Sequence, residues 1–217
     1  PPPRIFFNAS GHLTLLLLHD FHLTPPSSYA ANGGKFRGAE DQDRRTAAFA
    51  RQAAGAGAPP DLIAVGGDMT KGYCCPNGVY ERSPSACFDD HSKDTPEAWT
   101  HAVDSVLAPL RLPYAAILGN HDHAFSLAES LAIISSDAHH PLSAPRLAAP
   151  TSSVSGAGNF LVPVYARSDP AAPNAPPRLA AILAFLDSGG GIFPAGVAAD
   201  RVAWLRAAVA AMEAGAA

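Results

Sequence analysis

Three short polar motifs each stand at the end of an apolar run. Asp20-Phe21-His22 follows Leu13–Leu18, Gly67-Asp68-Met69-Thr70 follows Asp61–Val65, and Gly119-Asn120-His121-Asp122 follows Tyr114–Leu118. Carboxylate and amide oxygens are hard ligands and imidazole is a borderline one. Asp20, His22, Asp68 and Asn120 together therefore suit a divalent or trivalent metal such as zinc, manganese or iron. Each motif alone is weak, since Gly-Asp after a strand is commonly a turn with an Asx bond. Their shared placement after three successive apolar runs makes the combination specific.

Such residues meet only if the runs are neighbouring strands. The chain alternates strand-like and helix-like segments: a buried strand at Leu13–Leu18, a helix at Asp41–Ala54, a strand at Asp61–Val65, a helix from Thr95 to Leu110, a strand at Tyr114–Leu118 and a helix from Ser126 to Ile134. Thr95 reads as an N-cap with Pro96 at the first helical position. This rhythm predicts an α/β fold with parallel strands, whose carboxyl ends share one edge and bring Asp20, Asp68 and Asn120 together. Beyond residue 135 the pattern changes. Asn159–Tyr165 and Leu179–Leu186 read as an antiparallel hairpin around the turn Ser168–Pro177, and Val197–Met212 reads as a closing helix.

Composition agrees with one domain. The chain has 217 residues, 47% hydrophobic and 16% charged, which is enough apolar material for a core and excludes whole-chain disorder. Mean hydropathy is +0.05. With 15 Lys+Arg against 19 Asp+Glu and a net charge of −4, neither a nucleic-acid surface nor a polybasic membrane patch is expected. The longest apolar run stops at His19, far short of the ~20 residues that span a bilayer. The opening Pro-Pro-Pro-Arg has no methionine and no signal-peptide pattern, which reads as a processed or partial product and leaves the compartment open.

The series Asp20-x-His22, Gly67-Asp68 and Gly119-Asn120-His121-Asp122 resembles the first three motifs of the calcineurin-like metallophosphoesterases. Pro60-Asp61-Leu62-Ile63, Gly156-Ala157-Gly158-Asn159-Phe160 and Phe185-Leu186-Asp187-Ser188-Gly189 resemble the purple acid phosphatase relatives of plants and fungi, a branch often labelled inactive. The resemblance runs from about Leu13 to Leu205. It implies an αββα sandwich and two divalent or mixed-valence metal ions, iron, manganese or zinc. Asp20, His22 and Asp68 would hold one ion, and Asp68 would bridge to a second that also takes Asn120. Hydroxide would attack phosphorus in line, His121 would protonate the leaving oxygen or stabilise the phosphoryl group, and Asp122 would orient His121. The implied substrate is a phosphorylated small molecule or phosphoprotein.

Two features depart from that pattern. Lys71 stands where purple enzymes carry the tyrosine that colours them, and no lone His or Gly-His-x-His follows His140. The expectation is a partial phosphoesterase domain that lacks its C-terminal strands. The alternative is a catalytically inactive remnant acting as a binding or regulatory module.

The remaining candidates have plainer readings. His19 packs or hydrogen-bonds locally, His123 sits in a solvated loop, and His139-His140 lie at the surface. The polar insertion Gly72–Asp94 carries Cys74, Cys75, Cys87 and His91. Adjacent cysteines do not match structural zinc spacing, so either Cys87 pairs with one neighbour or all three stay free thiols. Trp204 and Leu205 read as core, and Ser188 lacks a nucleophile elbow.

Overall fold

Tyr114, Ile63 and Leu16 lie on adjacent parallel strands, and that arrangement is what gathers the three motifs. The computed structural model describes residues 3–24, 39–70, 95–122, 127–167, 176–189 and 196–215. Lys71, the 72–94 insertion with its cysteines and His91, His123, Ser126 and turn residues 168–175 lie outside the described residues.

The first sheet has β2 (Leu15–Leu18), β3 (Leu62–Val65) and β4 (Tyr114–Ala116) in that order, all parallel, with Leu18 opposite Val65 and Val65 opposite Ala116. Strand β3 is buried on both faces, as an apolar run in the middle of a parallel sheet must be. The strand period of two splits its side chains. Ile63 and Val65 join a core with Trp99, Val106, Leu107, Tyr114 and Ile133, while Leu62 joins a second core with Ala115.

Helices α1 (Ala39–Gly55), α2 (Thr95–Ala102) and α3 (Leu127–Ala138) contribute to the first core through Ala47, Ala50, Trp99, Ala102, Ile133 and Ile134. Glu40 and Asp41 in the first turn of α1 suit its positive end. The predicted helix from Thr95 to Leu110 is corrected to three pieces, because α2 passes into a π turn at Val103–Leu107 and a 3₁₀ turn at Ala108–Leu110. Two causes are visible. The Ser105 hydroxyl donates back to the His101 carbonyl at 2.6 Å, and Pro109 has no N–H to continue the ladder.

The second sheet is mixed. Its central strand β6 (Phe160–Tyr165) pairs with β1 (Ile5–Phe6) in parallel and with β5 (Leu147–Ala148) and β7 (Leu179–Phe185) antiparallel. The predicted hairpin is present, whereas β1 and β5 had no sequence signal. Ile5, Phe160, Val162 and Val164 meet Leu62 and Ala115 from the first sheet, so the second core lies between the sheets. Helix α4 (Ala199–Glu213) packs beside β7. The observed class is mixed α/β.

Three further expectations are corrected. Strand β2 is not buried throughout: Leu15 and Leu17 are 38% and 70% exposed and only Leu18 is sealed, because among the described residues β2 pairs with β3 alone. Helix α3 runs one turn past Ile134. Trp204 and Leu205 are half-buried rather than core residues. No helix among the described residues is long and apolar enough to cross a membrane.

Candidate metal centre at the strand ends

The β2–β3 ladder continues past the strands into the loops. The amides of Asp20, His22 and Leu23 donate to the carbonyls of Gly67, Asp68 and Met69 at 3.1, 3.0 and 2.9 Å. These bonds hold unusual backbone. Asp20, His22 and Asp68 have φ of 57°, 48° and 53°, in the left-handed region. That region costs an L-residue about 1–2 kcal/mol, less for a short polar side chain, and it persists only where neighbours over-determine it. Three of the four predicted ligands therefore sit on backbone turned by the loops themselves.

Glycine lets the second and third loops cross at backbone distance. A Cβ on Gly67 would meet Gly119, and a Cβ on Gly119 would meet the Asp68 carboxylate and amide. Asp122 then ties the crossing together. Its Oδ2 accepts from the Gly119 and Met69 amides at 2.9 and 3.2 Å, and its Oδ1 accepts from the Thr70 amide and hydroxyl at 2.8 and 2.9 Å. Asp122 is fully buried and is absent from the cleft wall. Burial pushes its pKa up, the Gly119 and Thr70 amides pull it down, and the nearby Asp68 charge adds to the rise. The expectation that Asp122 orients His121 takes a different form here. It is a positioning residue that fixes the backbone of both loops, His121 among them. Thr70, its hydroxyl partner, carried no sequence signal beyond following Gly-Asp.

The side chains above this frame converge. His22, Asp68 and His121 each offer a ligand atom within 4.8 Å of the others. The two imidazole rings stand edge to face, 4.6 Å between centroids. Asp68 Oδ1 accepts the His121 amide at 2.9 Å, which orients that carboxylate. Asp20 approaches through His22, with Oδ1 3.3 Å from Nε2, while its other oxygen accepts from the His19 ring. That His19 contact holds the Asp20 carboxyl below its usual range. A set of two imidazoles and a carboxylate, with a further carboxylate alongside, fits a borderline divalent ion.

Asp20, Asp68 and Asn120 also share one cleft of about 460 Å³. Its other wall is the end of β7, Phe185, Leu186, Ser188 and Gly189, which motif reading did not connect with the site. His139 is exposed and bonded to its own helix, and His140 is half-buried with its ring 5.5 Å from that of Tyr114, so neither joins the cluster among the described residues. Compared with known proteins, the chain matches no family model, no curated protein and no solved structure.

Proposed function

We propose that this chain is a metal-dependent phosphoesterase domain of the calcineurin-like type, with the two sheets and their flanking helices as its αββα frame. The observation that carries the proposal is the meeting of His22, Asp68 and His121 at the carboxyl edge of a parallel sheet. Those three would hold an ion of the zinc, manganese or iron class, with His121 a ligand. Asp20 and Asn120 lie on the same cleft and are the groups available to a second ion beside Asp68.

When bound, such an ion supplies a Lewis acid for a phosphoryl oxygen. The chain's own groups do the rest. Asp68 is oriented by the His121 amide, and Asp20 is kept ionised by His19. Asn120 offers an amide to an anionic ester in the cleft. The substrate is a phosphorylated small molecule or phosphoprotein whose ester group enters between the motif loops and the end of β7.

The test is elemental mass spectrometry of the purified chain with hydrolysis of an aryl phosphate. Bound metal with turnover, both lost in Asp68→Asn, is the expected result. Metal without turnover supports an inactive binding module instead. No metal in the wild type under zinc, manganese or iron loading overturns the proposal.

A further inference from the structure

The strand-end cleft has a second half beside its polar one. Asp20, Asp68 and Asn120 line it, and so do Leu17, Ala64, Ile117, Phe185 and Leu186. Strand geometry explains the apolar half. On β3 the side chains alternate, Ile63 and Val65 joining the first core and Leu62 the core between the sheets. Ala64 shares the face of Leu62, Leu17 lies directly opposite Ala64 in the parallel register, and Ile117 stands two residues past Ala115 on that same face. The row therefore begins with Leu62 and Ala115, which pack with Phe160 and Val162 of the second sheet, and ends at the cleft. There Leu17 is 70% exposed although its neighbour Leu18 is sealed.

The wall from the end of β7 is held in place. The Phe185 ring stacks on that of Phe160, 4.7 Å between centroids and 10° between planes. Charge restricts the cleft further. Its described lining holds Asp20 and Asp68 and neither Lys nor Arg. A second anionic group on a ligand would meet two carboxylates and no basic side chain there. Beyond His19 and the motif residues, Ser188 is the one polar side chain of the described lining. A body rich in hydroxyl groups would lose its water without gaining partners.

We infer that the substrate is a small monoester with one phosphate and a compact apolar body, an alkyl chain or a single ring, seated between Leu17 and the Phe185–Leu186 wall. This inference rests on the phosphoesterase reading, which puts the phosphoryl group at Asp68 and Asn120. The cleft, at about 460 Å³, falls within the ~300–1,000 Å³ usual for small-molecule sites. Affinity then grows with the apolar area that the body removes from water, until the crevice is full.

The test uses alkylphosphonates, which carry no ester bond to hydrolyse, titrated calorimetrically into the whole zinc-loaded chain. Methylphosphonate supplies the head group alone. Affinity should rise about two- to fourfold for each added methylene up to hexylphosphonate. Leu17→Asn, at an exposed position that accepts a polar side chain, should cut the hexyl-to-methyl affinity ratio about fivefold or more. Glucose 6-phosphate should bind no more tightly than methylphosphonate. Affinity independent of chain length, a gain that persists in full in Leu17→Asn, or tighter binding of glucose 6-phosphate overturns the inference. In each of those cases head-group binding that disappears in Asp68→Asn leaves the phosphoesterase reading standing. A chain loaded with zinc, manganese or iron that binds no phosphonate of any length overturns that reading and this inference together.

Discussion

Asp122 and Asp137 are both carboxylates sealed inside the chain, and they take their hydrogen bonds from different sources. Asp122 takes nearly all of its bonds from backbone amides of two loops, with one hydroxyl from Thr70. Asp137 takes its bonds from side chains, the Trp99 indole, the Tyr114 hydroxyl and the Arg146 guanidinium, which belong to α2, β4 and the segment before β5. The first carboxylate shapes main chain and so fixes where ligands stand. The second joins elements already shaped and so fixes how they pack. Burial raises the pKa of Asp122, and the Tyr114 hydroxyl is pushed well above its usual range, first by its own burial and then by the adjacent carboxylate.

This contrast can be broken by substitution. The largest effect should come from Asp137→Ala, which leaves the Arg146 charge buried and unpaired. A loss of about 3–5 kcal/mol in denaturant unfolding is expected, with zinc affinity of the folded fraction unchanged. Equal damage to zinc binding would erase the distinction. Asp122→Asn keeps the shape but turns an N–H toward amide donors. It should cost about 2–3 kcal/mol and weaken zinc binding in calorimetric titration, because the loops carrying Asp68 and His121 lose their tie.

Gly119→Ala sharpens the comparison by moving Asp68 without removing any polar group. Its new methyl meets the Asp68 carboxylate, so a loss of about 1–3 kcal/mol should accompany reduced zinc uptake, read by thermal unfolding with and without the ion. His121→Ala should change stability by about 1 kcal/mol or less yet remove zinc from the purified chain. The smallest effect concerns a surface carboxylate. The Ser155 amide and hydroxyl, bonded to Asp200, hold its carboxyl below the usual range. A lowered folded pKa adds stability above the ordinary carboxylate range and loses it as pH falls through the lowered value. Asp200→Asn should therefore flatten the acid limb of the stability curve slightly, by lowering stability a little at neutral pH and leaving it unchanged in acid below the lowered value.

The legible part of this molecule was the part with local signals. Apolar runs closed by His19-Asp20, Gly67-Asp68 and Gly119-Asn120 marked β2, β3 and β4, and the polar residues after them marked the cleft. Strands β1 and β5 are two residues each, too short for any period, and exist because β6 offers them hydrogen-bonding partners far along the chain. The break after α2 was readable in Pro109, but the π turn depends on the Ser105 back-bond, which only geometry reveals. At the site, residue types suggested His22 and Asp68 as candidate metal ligands but gave His121 a catalytic part, and the role of Asp122 depends on three loop amides whose positions no spacing rule supplies. Arg146 and Asp137 were invisible for the same reason, one in a Ser/Pro/Ala stretch and the other just past Ile134, where the predicted helix ended.

The left-handed turns at Asp20, His22 and Asp68 bear on the kinetics of ligand capture. Backbone hydrogen bonds hold these turns within the chain itself, so little conformational entropy is left to lose when a ligand arrives. The rate of capture should then follow how fast the incoming ion sheds water, and its temperature dependence should track the identity of the ion more than any ordering of the loops.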